Sequence, residues 1–334
     1  MDSISFSKPT IKRKDMLSVL QTLVDERITT SSRTDEFARS FLHLIGDSKQ
    51  FAHCFRTYPK AIRNALLSLG AGPGIKVAIS FLAPAIWARI AEELGCTLIL
   101  CDVYQKNGCI NVENAGCDLV ILNESLGTLA DAEDYQGLPI IEDISQTLGS
   151  VHGQGLAGSI GDVVVCAFED DLLVSTGGGA LAACSSPAVS EKLQGGLDSY
   201  ERMTDLNASL GLIQLLGYND SMKRRQEIGR AYRSSLMKTR HKVFGEASLD
   251  YEGCCGCFPV FLDTKVDEIQ KFCKKYNVPV QMAFTEVAGQ DHVDEFERFP
   301  ISIPYYQRTM LFPIYPFLKA NEIDQIQKVL SHLP

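Results

Sequence analysis

The sequence has one tryptophan and six histidines. It has no apolar run near the about 18 residues that a membrane helix needs. It also lacks an excess of positive charge: 32 lysines and arginines stand against 41 acids, a net charge of −9. A nucleic-acid or anionic-membrane surface requires clustered Lys and Arg, so neither partner is expected. The short basic runs Ile11–Lys14 and Met222–Arg225 fall on expected helix ends or faces and read as solvated. No histidines recur at His-x-x-x-His or similar spacing, which leaves a metal centre without a familiar ligand framework. The opening residues contain no apolar h-region, so no leader is expected. The 11 cysteines are odd in number, and Cys101, Cys117, Cys166 and Cys184 lie inside apolar strands, the pattern of reduced thiols rather than a disulfide framework. A cytoplasmic location is the expectation.

What is present is ordinary globular material. The 334 residues are 45% hydrophobic and 22% charged, enough for a sizeable core without staples. Met16, Val19, Leu20 and Leu23 fall at i, i+3, i+4 and i+7 and predict an amphipathic opening helix. Pro59 in the first turn and Gly70 at the end frame another. Strands and helices then alternate: "KVAISFL", "PAIWARIAEELG", "CTLILCDV", "CDLVILN", "LPIIED". That alternation predicts an α/β fold with a mostly parallel, helix-covered sheet. Ligands on such sheets sit beyond the carboxyl ends of the strands, which places Asp143 well. After two long helical stretches the texture changes to "CFPVFLD", "VDEIQKFCKKYN" and "VPVQMAF". Two units are expected, residues 1–225 and a smaller α/β unit over 226–334.

The stretch Gly161–Ala183, "GDVVVCAFEDDLLVSTGGGALAA", reads as a buried strand, an acidic turn, a glycine-rich bend and another strand. With "PIIEDISQTLGS", "LGAGPGIKV", "RMTDLNASLGLIQL" and the C-terminal "FPIYPFLKANEIDQI", it resembles the DegT/StrS family of sugar aminotransferases. That resemblance implies a three-layer α/β/α fold of the aspartate-aminotransferase type, dimers, and pyridoxal phosphate (PLP) as cofactor. It also implies a place for each cofactor contact. The lysine that forms the imine falls on Leu172, which has no nitrogen and moves no protons. The phosphate-binding Ser-Gly-Thr turn falls on Thr57-Tyr58-Pro59, where Tyr58 adds bulk and Pro59 removes an N–H donor. A second phosphate hydroxyl falls on Ala167, and the neighbouring subunit's asparagine on Tyr200. Asp143 matches the carboxylate that pairs with the pyridinium nitrogen, and Gln146 the residue beside the ring's phenolic oxygen. The aromatic over the ring falls on Leu82 or Ala83, with Trp87 nearby.

Lysine and phosphate positions are lost together while packing and turn positions remain. The expectation is therefore a family member without PLP catalysis and with no bound cofactor. It would act as a binding, scaffolding or hetero-oligomer partner, a homodimer or a heterodimer with an active paralogue. Two alternatives stand beside it. One is a PLP-free nucleotide-sugar-binding protein. The other is an active aminotransferase of a keto-sugar nucleotide in cell-surface polysaccharide biosynthesis, served by Lys60, Lys76 or Lys192. Asp143 and Gln146 have a plainer reading as structural groups, Asp143 capping the turn after it. "STGGG" could cradle an anion, although a strained connection needing positive φ explains it as well. Cys254, Cys255 and Cys257 invite a soft metal. Adjacent cysteines project oppositely in a strand, however, and no second pair accompanies them. Glu169–Asp171 read as a solvated acidic turn.

Overall fold

Seven apolar runs form one sheet. Across it lie Phe51–Phe55, Ala180–Cys184, Val163–Ala167, Ile140–Asp143, Leu119–Asn123, Lys76–Ser80 and Thr97–Cys101. From Val163–Ala167 to Thr97–Cys101 the pairings are parallel, while Ala180–Cys184 runs antiparallel to both its neighbours. This is a computed structural model, and it describes residues 4–9, 11–25, 29–46, 48–152, 155–245, 251–253 and 255–334.

Parallel strands need long crossovers, and helices supply them. Tyr58–Ser68, Ala85–Glu93 and Pro187–Gln194 cover one face, where Ile62, Leu66, Trp87 and Leu193 share a core with Val77, Ile79, Ile121, Ile141 and Val165. Ser32–Leu44 and Asp205–Leu216 cover the other, where Phe37, Phe41 and Leu212 meet Val164, Cys166 and Leu181. The result is the three-layer α/β/α architecture expected. Side chains alternate along a strand, so Asn123 shares a face with Ile121, and Asp143 with Ile141. Asn123 and Asp143 pair directly at the carboxyl ends of adjacent strands.

A second, antiparallel sheet has the order Lys242–Val243, Phe258–Phe261, Thr309–Phe312, Gln281–Met282. The strand expected over "VPVQMAF" is reduced to its Gln281–Met282 pair, since Pro279 has no N–H for a ladder. Helix Tyr218–Leu236 enters both cores: Tyr218 and Met222 belong to the first, Ile228, Tyr232 and Leu236 to the second. Arg225 lies between them and corrects the solvated-face expectation. It is buried, and its Nη1 donates to the carbonyls of Gly256 at 3.2 Å and Ile314 at 2.8 Å. A guanidinium with several donors can tie separate chain segments that a lysine could not.

The opening helix, Arg13–Val24, lies against Asp205–Leu216 with polar groups inward. Asp15 and Thr22 are buried, and Thr22 donates to Ser209 Oγ at 2.7 Å. Met16, Leu17, Leu20, Leu23 and Val24 face outward, 47–74% exposed. Among the described residues no helix is long and apolar enough to cross a membrane.

Candidate functional site

Asp143 ends its strand on the face covered by helices Tyr58–Ser68 and Ala85–Glu93, and both helices send a side chain to it. The Tyr58 hydroxyl donates to Oδ2. Trp87 Nε1 lies 3.0 Å from the same oxygen and 2.7 Å from the Tyr58 hydroxyl. Asn123 Nδ2 donates to Oδ2 from the neighbouring strand at 2.9 Å. On Oδ1, the Ser145 N–H donates at 3.0 Å and its hydroxyl at 2.5 Å. Both oxygens of a 5%-exposed carboxylate are thus engaged by the chain itself. The Ser145 contact is the turn cap that the plainer reading of Asp143 describes. Tyr58 as a residue is half-buried, with its hydroxyl the inner end. Burial first, and the Asp143 charge second, push that phenol well above its ordinary range, so it stays a neutral donor.

The start of helix Tyr58–Ser68 is also internally served. The Thr57 side chain accepts from the Lys60 N–H, and Pro59 stands in the first turn. Lys60 Nζ pairs with Glu201 at 2.9 Å, which places a carboxylate from Ser199–Glu201 beside this helix end. That pairing holds Glu201 below the usual carboxylate range. Tyr200 is 68% exposed, its hydroxyl donating to Asp198 at 2.7 Å.

The glycine-rich bend offers few free amides. The Thr176 and Gly178 N–H groups donate to the Phe168 carbonyl, and Gln214 Oε1 accepts from the Ser175 N–H at 3.0 Å. Asn207 Nδ2 holds the Thr176 carbonyl at 2.6 Å. Gly177, Gly178 and Gly179 have φ of 72, 101 and 109°, conformations that glycine adopts without penalty. The bend is a connection that needs glycine at positive φ and is held by its own hydrogen bonds. Glu169, Asp170 and Asp171 are exposed, with Asp170 accepting from the Ser175 hydroxyl at 3.0 Å.

Leu172 lines a pocket with Lys8, Ser145, Gln146, Arg225 and Tyr315. The position that the resemblance implies for the lysine therefore shares a pocket with Gln146 and with Ser145, the cap of Asp143, and a leucine occupies it. Gln146 accepts the Leu126 N–H at 2.7 Å and so holds a turn in which Leu126 has φ of 58°. Of the substitute lysines, Lys60 is paired with Glu201, and Lys76 and Lys192 are exposed; none of the three lines this pocket.

Two site residues escaped the sequence reading, Asn123 and Ser145, and Trp87 was placed near the site without a partner. The turn Phe81–Ala83 delays the helix to Ala85, so Trp87 stands in its first turn. Long helical side chains point back toward the N-terminus, which brings the indole to the strand ends. Trp87 thus reaches the site through its N–H on Asp143. A signal for Asn123 was available, since "CDLVILN" ends in a polar residue as "LPIIED" does. His53 sits elsewhere, Nε2 lying 2.8 Å from Ser190 Oγ. Cys255 and Cys257 are half-exposed, and Cys254 lies outside the described residues. Among the described residues no group of three or more His, Cys, Asp or Glu could hold a metal.

With this geometry established, known proteins give a context. Residues 122–331 match the DegT/DnrJ/EryC1/StrS aminotransferase family. The chain is 21% identical over 378 positions to the spore coat polysaccharide biosynthesis protein SpsC of Bacillus subtilis, covering 97% of this chain and 95% of that protein. The putative sugar aminotransferase Spr1654 of Streptococcus pneumoniae, in its PLP form, superposes with a TM-score of 0.88 at 19% identity, covering 99% of this chain and 98% of that one. Helicobacter pylori PseC, an aminotransferase involved in pseudoaminic acid biosynthesis, gives 0.87 at 16% identity over 98% of each chain. At such identities the likeness establishes the fold; the chemistry rests on the residues.

Proposed function

The chain belongs to the DegT/DnrJ/EryC1/StrS aminotransferase family, and from that premise we propose that it has kept the fold without PLP chemistry of its own, serving as a non-catalytic binding, scaffolding or hetero-oligomer partner. One observation carries this: Asp143, the carboxylate that the resemblance pairs with the ring nitrogen, is closed by Tyr58 and Trp87, while a leucine stands where the resemblance implies the lysine. The residues present do not fit the cofactor. A pyridinium N–H would have to displace the Tyr58 hydroxyl from Oδ2, and a phosphate at the helix start would find Lys60 already paired with Glu201 and no N–H on Pro59. The setting suggested by relatives is the assembly of modified sugars or polysaccharides.

A partner surface supports the oligomeric half of the proposal. Helix Arg13–Val24 lies on Asp205–Leu216 and turns its apolar side outward, and Leu216 of the second helix is 81% exposed. Exposed apolar side chains gathered along one helix face are a feature of association sites, and two-fold dimers are the commonest closed solution. A second reading, PLP-free binding of a nucleotide sugar, is favoured by the pocket beside Leu172, where Arg225 and Lys8 supply positive charge.

The test follows the emission of Trp87, the only tryptophan in the chain, during titration with PLP, alongside light scattering of the same sample. No saturable quenching and a dimeric mass are expected. Saturable quenching with a visible imine band would restore an enzyme, and a monomeric mass across the concentration range would remove the partner role.

A further inference from the structure

We infer that Asp15 Oδ1 anchors a single water-sized hydrogen-bond donor, which bridges it to Ser221 and staples helix Arg13–Val24 to the turn between Asp205–Leu216 and Tyr218–Leu236. Asp15 is 2% exposed. Its Oδ2 accepts the Lys12 N–H at 2.6 Å, whereas Oδ1 is buried with no hydrogen-bond partner among the described residues. A buried acceptor on a carboxylate is costly to leave unpaired. Asp15 lines a cavity of about 10 Å³ together with Lys12, Gln214, Tyr218 and Ser221. That volume is the least that admits one water, and it admits nothing larger.

The walls decide the chemistry of the guest. Tyr218 spends its only donor on the Leu148 carbonyl, and Gln214 turns its amide N–H to the Ser175 carbonyl. Lys12 and Ser221 also line the cavity, and neither bonds to Oδ1. An anion would meet the Asp15 charge, and an apolar guest would leave Oδ1 as it is. A donor satisfies it, and the Ser221 hydroxyl can accept from the same donor. Water and the ammonium ion share that chemistry and that size. Because Gln214 also accepts the Ser175 N–H, the guest stands between the opening helix and the anchor of the glycine-rich bend. The site is separate from Asp143 and Leu172, so its failure leaves the proposed function untouched.

A high-resolution crystal structure of the full chain should show one density peak about 2.6–3.2 Å from both Asp15 Oδ1 and Ser221 Oγ. No such peak, or Lys12 Nζ on Oδ1 in its place, would overturn the inference. Thermal midpoints then identify the guest. A higher Tm in ammonium chloride than in tetramethylammonium chloride at equal ionic strength, in wild type and not in Asp15→Asn, marks the ammonium ion. Equal midpoints, or a rise that Asp15→Asn shares, mark water.

In solution the bridge predicts coupling without direct contact. Ser221→Ala should lower Tm by about 1–3 °C in wild type, and by less than half as much in Asp15→Ala, where the guest has already lost its anchor. Equal losses in the two backgrounds would overturn the bridge. Should Asp15→Ala not fold, Asp15→Ser gives the same comparison.

Discussion

Tyr58 and Asp143 are 85 residues apart in sequence and joined by one hydrogen bond, phenol to carboxylate. The bond exists because a helix start and a strand end meet at the same edge of the sheet. Trp87, Asn123 and Ser145 complete the shell around the carboxylate.

Asp143 is accordingly the acceptor on which several donors depend. Asp143→Ala should cost about 3 kcal/mol or more, because the buried indole, amide and hydroxyl groups lose their partner together. Asp143→Asn retains one acceptor oxygen but turns an amide toward donors, and should cost about 1–3 kcal/mol. Urea unfolding of the two variants should rank them in that order; equal and small losses would show that the shell carries no energy.

Leu20, 53% exposed on the outward side of the opening helix, reports on association. Leu20→Lys should shift the light-scattering mass from dimer toward monomer while leaving the far-ultraviolet spectrum unchanged. Folding should be spared because the helix is held by polar contacts such as Thr22 to Ser209. An unchanged dimeric mass would place the interface elsewhere.

Gly179 tests the locked bend. Its φ is +109°, and an added Cβ would stand 2.7 Å from Met203 Cε and 3.2 Å from the Phe55 carbonyl oxygen. Gly179→Ala should destabilise by about 1–3 kcal/mol from backbone strain and crowding. A thermal midpoint within error of wild type would contradict the packing described.

Glu124 sets a pH dependence. It is 2% exposed, accepting from the Ala130 N–H and the Thr147 hydroxyl at 3.1 and 3.0 Å. Burial chiefly, then the charge of Glu142, raises its carboxyl well above the ordinary 4.5. The folded state therefore holds its proton more tightly than the unfolded state. This contribution is fully present below the ordinary value and is lost as pH rises through the folded-state value. Glu124→Gln should flatten that decline, measured as urea midpoints from about pH 5 to about pH 8. A variant curve parallel to wild type would show that Glu124 does not titrate there.

Much of the frame was legible in the sequence, because strand and helix periods differ and each apolar run ends in a polar or turn residue. "LPIIED" announces a buried strand whose last residue meets the site, and the glycines after Ser175 announce positive φ. Leu172 was legible as a leucine where the resemblance implies a lysine. The closure of Asp143 was not legible. Sequence showed Tyr58 only as bulk on a tight turn and Trp87 only as an aromatic nearby, because their convergence depends on where the helix after Phe81 begins. The inward polar side of Arg13–Val24 was hidden for a related reason. Periodicity identifies an apolar stripe but does not say whether this chain or a partner covers it. Arg225 looked solvated because a charged run carries no mark of the carbonyls that will surround it.

The most direct measurement is intact mass after incubation with excess PLP and borohydride reduction, compared with an untreated sample. With a leucine, Leu172, where the resemblance implies the lysine, and Asp143 held by Tyr58, no site-specific adduct and no visible chromophore are expected. A stoichiometric reduced adduct mapped to a single lysine at this pocket would contradict the proposal and return the chain to PLP chemistry.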